Sequence, residues 1–416
     1  MKQYDLIIVG GGPAGLAAAV AARDKGVENI LIIEREERLG GILRQCIHNG
    51  FGLQRFKESL TGPEYANNFI REVKKRNIEY MTESTVISVT ENKVVTVVSP
   101  SGVEELQAKA VILAMGCRER SRGALNIAGT RPAGIYSAGT AQKYVNIMGY
   151  MPGKRIVILG SGDIGLIMAR RMTLEGAQVL AVAELMPYSS GLKRNIKQCL
   201  EDFNIPLYLS HTITAIEGDK RVTGVVISKV DENRQPIPGT EMHFDCDTVL
   251  FSVGLIPENE LTKNANIPLC KGTRGAFVYD NRETEVEGIF ACGNVLHVHD
   301  LVDFVSEESE LAGRAAADYI FGGEKARDVV ATTNGANVGY VLPQLVDKNA
   351  KPFVKLFFRA RKEIRNAKVV VRSGDVILSE KVKKIVVPGE MENVILTDKM
   401  LGLACGEICV EVKDNE

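Results

Sequence analysis

Four aliphatic residues in a row, Leu6-Ile7-Ile8-Val9, run without a polar interruption and stop at a glycine. A half-exposed strand would alternate, so the unbroken run predicts a strand buried on both faces of a parallel sheet. The Ala-rich stretch Leu16 to Arg23 predicts a helix, and a second apolar run, Ile30-Leu31-Ile32-Ile33, ends at Glu34. Strand, glycine turn, helix and strand make a βαβ unit. The succession returns downstream: Ile156-Val157-Ile158-Leu159, the turn Gly160-Ser161-Gly162-Asp163-Ile164-Gly165, a helix through Glu175, and Val179 to Ala183 ending at Glu184. Gly160, Gly162, Gly165 and Glu184 each lie 150 positions after Gly10, Gly12, Gly15 and Glu34.

One Gly-x-Gly-x-x-Gly is a weak signal, because glycines are common in turns. Two in-register copies, each between a strand and a helix and each followed by an acid at the same distance, point to two dinucleotide sites. The first glycine of each permits a tight turn, the second removes a Cβ that would block a pyrophosphate, and the third lets helix and strand approach closely. Pro13 and Ala14, like Asp163 and Ile164, then open a helix whose unpaired N–H groups and positive dipole end suit phosphate. Glu34 and Glu184 are expected to accept hydrogen bonds from a ribose diol. A carboxylate there repels a 2′-phosphate, so the second site is expected to prefer NAD over NADP. The alternative, that Glu184 merely ends a strand in solvent, is weakened by the absence of an arginine between Ala181 and Glu184.

Towards the C-terminus the pattern changes. Phe353 to Arg372 and Lys381 to Val387 alternate apolar with basic residues and predict strands, broken by Ser373-Gly374-Asp375 and Pro388-Gly389-Glu390 turns. Lys355 to Arg372 carries seven basic residues and one acid. That run reads either as a dock for an acidic partner or as a solvated sheet face.

Composition sharpens this picture. The 416 residues leave room for two or three domains, and 51 Lys and Arg against 52 Asp and Glu give a net charge of -1. No global charge favours nucleic acid or an anionic membrane. Leu6 to Ala22 is free of charge, but Gly10, Gly11, Gly12, Pro13 and Gly15 sit inside it and Arg23-Asp24-Lys25 follows, so no targeting or transmembrane segment is read and a cytoplasmic protein is expected. Eight cysteines contain no CxxC pair, which argues against a disulfide framework.

Asp5 to Gly15, Glu34 with Leu39-Gly40-Gly41, Leu60-Thr61-Gly62-Pro63, Ala110 to Gly116 and Gly288-Ile289-Phe290-Ala291-Cys292-Gly293-Asn294 together resemble the pyridine nucleotide-disulfide oxidoreductases, nearest the thioredoxin-reductase-like branch. The resemblance covers about residues 1 to 325 and implies an α/β fold with two Rossmann-like domains, FAD on the first unit and NAD on the second. It implies a discontinuous FAD-binding domain, 1–117 and 257–328, interrupted by an NAD-binding domain, 118–256. A small β-rich domain, 335–416, would follow. The FAD contacts implied are Gly10, Gly12, Pro13, Ala14, Gly15, Glu34, Arg35, Gly41, Val86, Ala114, Gly116, Gly293 and Asn294. Those for NAD are Gly160, Gly162, Asp163, Ile164, Gly165, Glu184 and Gly254. The family pattern after the late strand is Gly-Asp. Gly293-Asn294 departs from it, although an amide still hydrogen-bonds a ribityl hydroxyl. A helix expected over Val305 to Tyr319 would direct its N-terminus at the flavin and stabilise negative charge there.

The dithiol motifs of the family's reductases are absent. Cys46 offers a single thiol, either redox-active beside the flavin or simply packed. His48 or Asn49 either bonds the isoalloxazine or shapes the loop. These make Cys46 and His48 the only catalytic candidates. His297 and His299 lack a third ligand apart from Asp300, so no metal is expected and a place lining the flavin site is preferred. Cys405 and Cys409 read either as packing residues or as ligands of a metal or cluster shared with another subunit. The segments Gly41 to Gly52, Gly116 to Arg120 and Asn294 to Glu310 resemble the flavoproteins paired with anaerobic glycerol-3-phosphate dehydrogenases, and more loosely the dinucleotide-binding subunits of opine and amino-acid dehydrogenases. The resemblance implies hydride transfer between NAD(H) and flavin in a nicotinamide-facing subunit of a larger dehydrogenase, which itself is a possible homo-oligomer. A free-standing, peroxide-forming NADH oxidase and a flavin-bound scaffold are the alternatives.

Overall fold

In the computed structural model, which describes residues 1–323 and 327–415, the chain forms two compact units, Met1–Cys117 with Pro257–Glu416, and Arg118–Ile256. Residues 324–326 and 416, which fall within the expected 257–328 and 335–416 domains, lie outside the described residues.

The first unit starts with strand β1 (Lys2–Val9), helix α1 (Pro13–Asp24) and strand β2 (Ile30–Ile33). β1 lies between β2 and the long strand β3 (Gly102–Leu113), parallel to both. The first half of β3 pairs antiparallel with Val94–Ser99, and its end pairs parallel with Ile289–Ala291. The late segment therefore enters the same sheet as the first strand. Apolar side chains fill both faces: Leu6, Ile8 and Ile112 on the side of α1, Ile7, Val9, Val111 and Leu113 on the other. This is why Leu6 to Val9 shows no alternation. Helix α1 is almost all alanine and glycine inside, because it packs on the sheet and on the later helix. Gly313 of that helix comes so near that an added Cβ would sit 2.2 Å from the Ala18 carbonyl oxygen.

The second unit repeats the plan. Strand β4 (Arg155–Leu159), helix α2 (Asp163–Leu174) and strand β5 (Gln178–Glu184) belong to a five-stranded parallel sheet with Ile135–Ser137, Thr248–Phe251 and Leu207–Leu209. A smaller sheet built on His211–Gly218, Val222–Lys229 and Met242–Asp245 covers one face.

Helix α3 (Val302–Ile320) returns to the first unit and starts one turn before the expected Val305. The C-terminal stretch follows as two sheets around a shared core that includes Val338, Leu356, Phe358, Val371 and Val410. Its first strand, Val329–Asn334, precedes the expected start at 335 because it pairs with Ile408–Asp414. The stretch clusters with the first unit rather than standing as a third one. The basic run is largely neutralised within the chain: Lys355 meets Glu307, Arg359 meets Asp300, Lys368 meets Glu380 and Arg372 meets Glu411. These pairs lie within the chain itself.

Candidate nucleotide sites

The β1–α1 turn is built from backbone that only small residues can supply. Gly10 has φ +109°, and a Cβ there would lie 2.5 Å from the Ala114 carbonyl oxygen. At Gly15 a Cβ would fall 1.9 Å from the Gly10 carbonyl oxygen, so the helix can sit on the strand only without it. At Gly12 the situation is opposite: the nearest neighbour would be Gly41 Cα at 3.8 Å, and the position is open. Gly12 is the helix N-cap, has no side-chain cap, and precedes Pro13, so the first-turn N–H groups of Ala14 and Gly15 face outward without an acceptor from a cap. No acid lies in that first turn. This is a cradle with positive potential and space at its second glycine, the chemistry a pyrophosphate requires.

Glu34 closes the cradle. It is buried, its Oε2 accepts the Gly11 N–H at 2.8 Å and its Oε1 accepts the Glu36 N–H at 2.9 Å. Each oxygen keeps a second lone pair for a ribose hydroxyl. Gly41 lies against Gly12 and Pro13, and Gly293 lies against Ala14. Gly10, Gly12, Pro13, Ala14, Gly15, Glu34, Gly41, Ala114 and Gly293 thus converge. Arg35 is exposed, Val86 is half-buried against the opposite core, and Gly116 turns with φ +74° while its carbonyl accepts the Glu258 N–H at 3.0 Å. Asn294 already uses its Oδ1, which accepts the His299 N–H at 3.0 Å, and its Nδ2 lies 3.7 Å from Cys117 Sγ.

The second turn repeats the backbone bonds of the first and adds one from the Ser161 hydroxyl. Gly160 has φ +104°, and Gly165 would place a Cβ 2.3 Å from the Gly160 carbonyl oxygen. Glu184, also buried, accepts the Ser161 N–H at 2.9 Å and its hydroxyl at 2.7 Å on Oε2, and the Met186 N–H at 2.9 Å on Oε1. The solvated-strand-end reading of Glu184 is therefore wrong. Gly162 caps α2, and Ile164 is half-buried against the sheet core. Gly254 lies beyond the adjoining strand with φ +98°, its carbonyl accepting the Arg120 N–H. Asp163 points to a neighbouring loop: its Oδ1 accepts the Leu192 N–H at 2.8 Å and the Asn195 amide at 2.7 Å. The same loop reaches Ser161, whose carbonyl accepts from Ser189 Oγ at 2.8 Å and Gly191 N at 3.1 Å. Sequence reasoning missed this loop, for which Ser189-Ser190-Gly191 was the visible turn signal.

Of the two catalytic candidates, Cys46 is half-buried. Its Sγ lies 3.4 Å from the Ile42 carbonyl, and burial pushes the thiol up to about 12, which disfavours the thiolate. His48 packs its ring 5.0 Å from Phe51 in the loop. Burial likewise pushes the Cys246 and Cys292 thiols up to about 12, and no disulfide joins any of the eight cysteines. His297 and His299 are buried rather than lining a surface, and their third partner is Glu308, not Asp300; the three offer ligand atoms within 4.8 Å of one another. Among the described residues no helix is long and apolar enough to cross a membrane.

A family model described as pyridine nucleotide-disulphide oxidoreductase matches residues 4–318. An opine oxidase subunit from Agrobacterium tumefaciens (strain Ach5) is 25% identical over 338 residues, 76% of this chain and 64% of that protein. Thioredoxin reductase of Mycolicibacterium smegmatis is 27% identical over 297 residues, 70% of this chain and 88% of that protein. Among solved structures, T. acidophilum thioredoxin reductase superimposes with a TM-score of 0.61 at 25% identity, covering 78% of this chain and 99% of that one. A NAD-dependent persulfide reductase from A. fulgidus gives 0.59 at 20% identity over 88% of this chain and 67% of its own, a likeness of fold.

Proposed function

The chain belongs to the pyridine nucleotide-disulphide oxidoreductase family, whose members use flavin and pyridine nucleotide, and from that premise we propose that it binds FAD on Gly10 to Gly15 and NAD on Gly160 to Gly165 and passes hydride between them. The observation that carries the reading is the repeated carboxylate bond: Glu34 on the Gly11 N–H and Glu184 on the Ser161 N–H, each beside an open, uncapped second glycine. A bound flavin supplies the two-electron chemistry. The protein residues hold and orient. The α1 N-terminus takes the pyrophosphate charge, Glu34 takes a ribose diol, and Gly293 with Asn294 forms the wall that Glu308 fixes from behind. Glu184 does the same for the second nucleotide and disfavours a 2′-phosphate, which supports NAD over NADP.

Hydride transfer between stacked rings needs position and electrostatics rather than a protein acid or base. A disulfide is not the substrate we propose, because no CxxC exists and burial pushes the Cys46 thiol up, which disfavours its thiolate. The electrons instead pass to or from a partner. We assign the chain as the nicotinamide-facing subunit of a multi-subunit dehydrogenase, such as the glycerol-3-phosphate enzyme that its segments resemble. The opine oxidase relative, itself named as one subunit of its enzyme, supports that class of assembly. Anaerobic stopped-flow tests the core of the proposal: NADH should bleach the flavin rapidly. Absence of bleaching would leave only a scaffold, and fast reoxidation by air without a partner would favour a free-standing oxidase.

A further inference from the structure

Glu308 sits on the buried face of α3 with its side chain fully enclosed. Oε1 accepts from Arg282 Nε at 2.9 Å and faces His297 Nε2 at 3.2 Å; Oε2 accepts the Gly293 N–H at 3.0 Å and faces His299 Nε2 at 3.0 Å. A carboxylate against a guanidinium and a backbone N–H is ionised and can only accept. Both Nε2 atoms therefore carry hydrogen, and neither Nδ1 atom faces an acceptor that would hold a hydrogen there. Those Nδ1 atoms are buried and have no hydrogen-bond partner. Buried polar atoms are nearly always paired, so two orphaned acceptors in one cluster require a reason. A divalent cation is a poor one, since it would add two positive charges to Arg282 with a single carboxylate to offset three. A single positive charge is the smaller burden.

We propose that His297 and His299 form a one-proton site coupled to the flavin held at Gly293 and Asn294: when the flavin gains two electrons, a proton from solvent settles on one Nδ1 of the pair and leaves on reoxidation. The inference rests on the FAD reading above. Hydride from NADH brings both electrons and its own proton to the flavin. The additional proton comes from water or buffer and returns there, and no substrate bond changes on its account. The link is short. Gly293 donates to Glu308, and Asn294 Oδ1 accepts the His299 backbone N–H, so the turn is linked to the imidazoles through Glu308 and through the His299 backbone. The rings are 4.2 Å apart, and a second proton would face the first.

Further charged and titratable groups surround the pair. Arg282 also donates to the Asp280 carbonyl, Tyr340 lies 6.1 Å ring to ring from His297, and Arg359 bonds the Val298 carbonyl and Asp300; Cys292 is buried alongside, and Phe357 walls both rings. Burial holds His297 down at about 4, which leaves Arg282 balanced against Glu308 without a charge on that ring. One added proton makes the cluster positive, which is the charge that opposes an electron-loaded flavin.

The chain has five histidines, so holoprotein labelled with 15N-histidine can be read by long-range proton–nitrogen NMR, with His211→Gln and His243→Gln assigning two of the exposed or peripheral rings. In the oxidised protein both buried rings should appear as Nε2–H tautomers. After anaerobic reduction by dithionite one Nδ1 should move to the protonated range. His299→Phe holoprotein should lose one proton per two electrons, flattening the midpoint potential's dependence by about 30 mV per pH unit. Rings unchanged on reduction in the unmodified holoprotein, or charged in both states, overturn the proposal. A protein that takes up no FAD overturns the functional reading and this inference with it, whereas a reducible holoprotein with unchanged rings overturns this inference alone.

Discussion

The two inner glycines of the first turn should fail in different ways when each becomes alanine. Gly15→Ala puts a methyl 1.9 Å from the Gly10 carbonyl oxygen and 3.2 Å from Ile8 Cγ2. Backbone cannot yield as a flexible side chain can, so α1 must lift off β1, and α1 is also locked against α3. Overpacking of this kind costs about 3 kcal/mol or more. At roughly 2–4 °C per kcal/mol for a unit of this size, the apoprotein should melt about 6–12 °C lower. Gly12→Ala meets nothing closer than 3.8 Å and keeps an ordinary φ of -78°. Its structural cost is the weaker helix N-cap, about 1 kcal/mol at most. Its methyl nevertheless occupies the phosphate side of the cradle. Losing one or two hydrogen bonds to a charged group, at about 1.5–3 kcal/mol each, weakens FAD binding roughly 10- to 100-fold or more. Thermal unfolding of the two apoproteins and flavin fluorescence titration separate the effects. The reasoning is refuted if apo Gly12→Ala melts as low as Gly15→Ala, or if Gly12→Ala binds FAD like the unmodified protein.

Glu184→Ala should raise the KM for NADH while leaving NADPH use nearly unchanged, and it should cost about 1–3 kcal/mol because the buried Ser161 N–H loses its acceptor; equal kinetics with both nucleotides would remove the assignment. Cys46→Ser should reduce its flavin with NADH at the unmodified rate, and iodoacetamide should label Cys46 slowly at pH 7.5, since burial pushes the thiol up to about 12; fast labelling would restore the redox-thiol reading. Acid should destabilise the first unit. The folded His297 value, about 4, lies below its ordinary 6.5, so between those pH values the unfolded chain binds the proton first and stability falls as pH falls, by up to about 3 kcal/mol. Glu308, held low by the imidazoles and Arg282 against its burial, loses its contribution at still lower pH; denaturant titrations from pH 7 to pH 4 check the sign, and a flat profile would contradict it.

The parallel-sheet core and both turns were legible because their requirements are local. A strand buried on two faces shows as an unbroken aliphatic run, and a turn needing φ near +100° shows as glycine. The glutamate at the end of each second strand was legible only through the repeat. One acid after a strand is ambiguous, while Glu34 and Glu184 at equal spacing share a hydrogen bond to equivalent N–H groups. The boundaries were read less well where pairing is distant. Val329–Asn334 joins the C-terminal sheet because of Ile408–Asp414, and nothing within the strand itself announces that partner.

The buried cluster shows what kind of signal remained unread. His297-Val298-His299 drew attention to Asp300 because it was adjacent in sequence, yet Asp300 turns out to Arg359 and the Met391 N–H. The partner is Glu308, three residues after Val305 and four before Ala312, both buried. That spacing puts a carboxylate on the apolar stripe of its helix, where an ionised group is intolerable without donors. A charged residue on a buried face otherwise made mostly of small residues therefore asks for cations or N–H groups from elsewhere in the fold. Arg282, buried as deeply, makes the complementary demand from a tight turn, where its φ is +73°. Each demand is visible in its own stretch of sequence, but that they answer each other, and that two imidazoles and the Gly293 N–H complete the set, follows only from the parallel pairing that lays Ile289–Ala291 beside β3 and delivers the next turn onto α3.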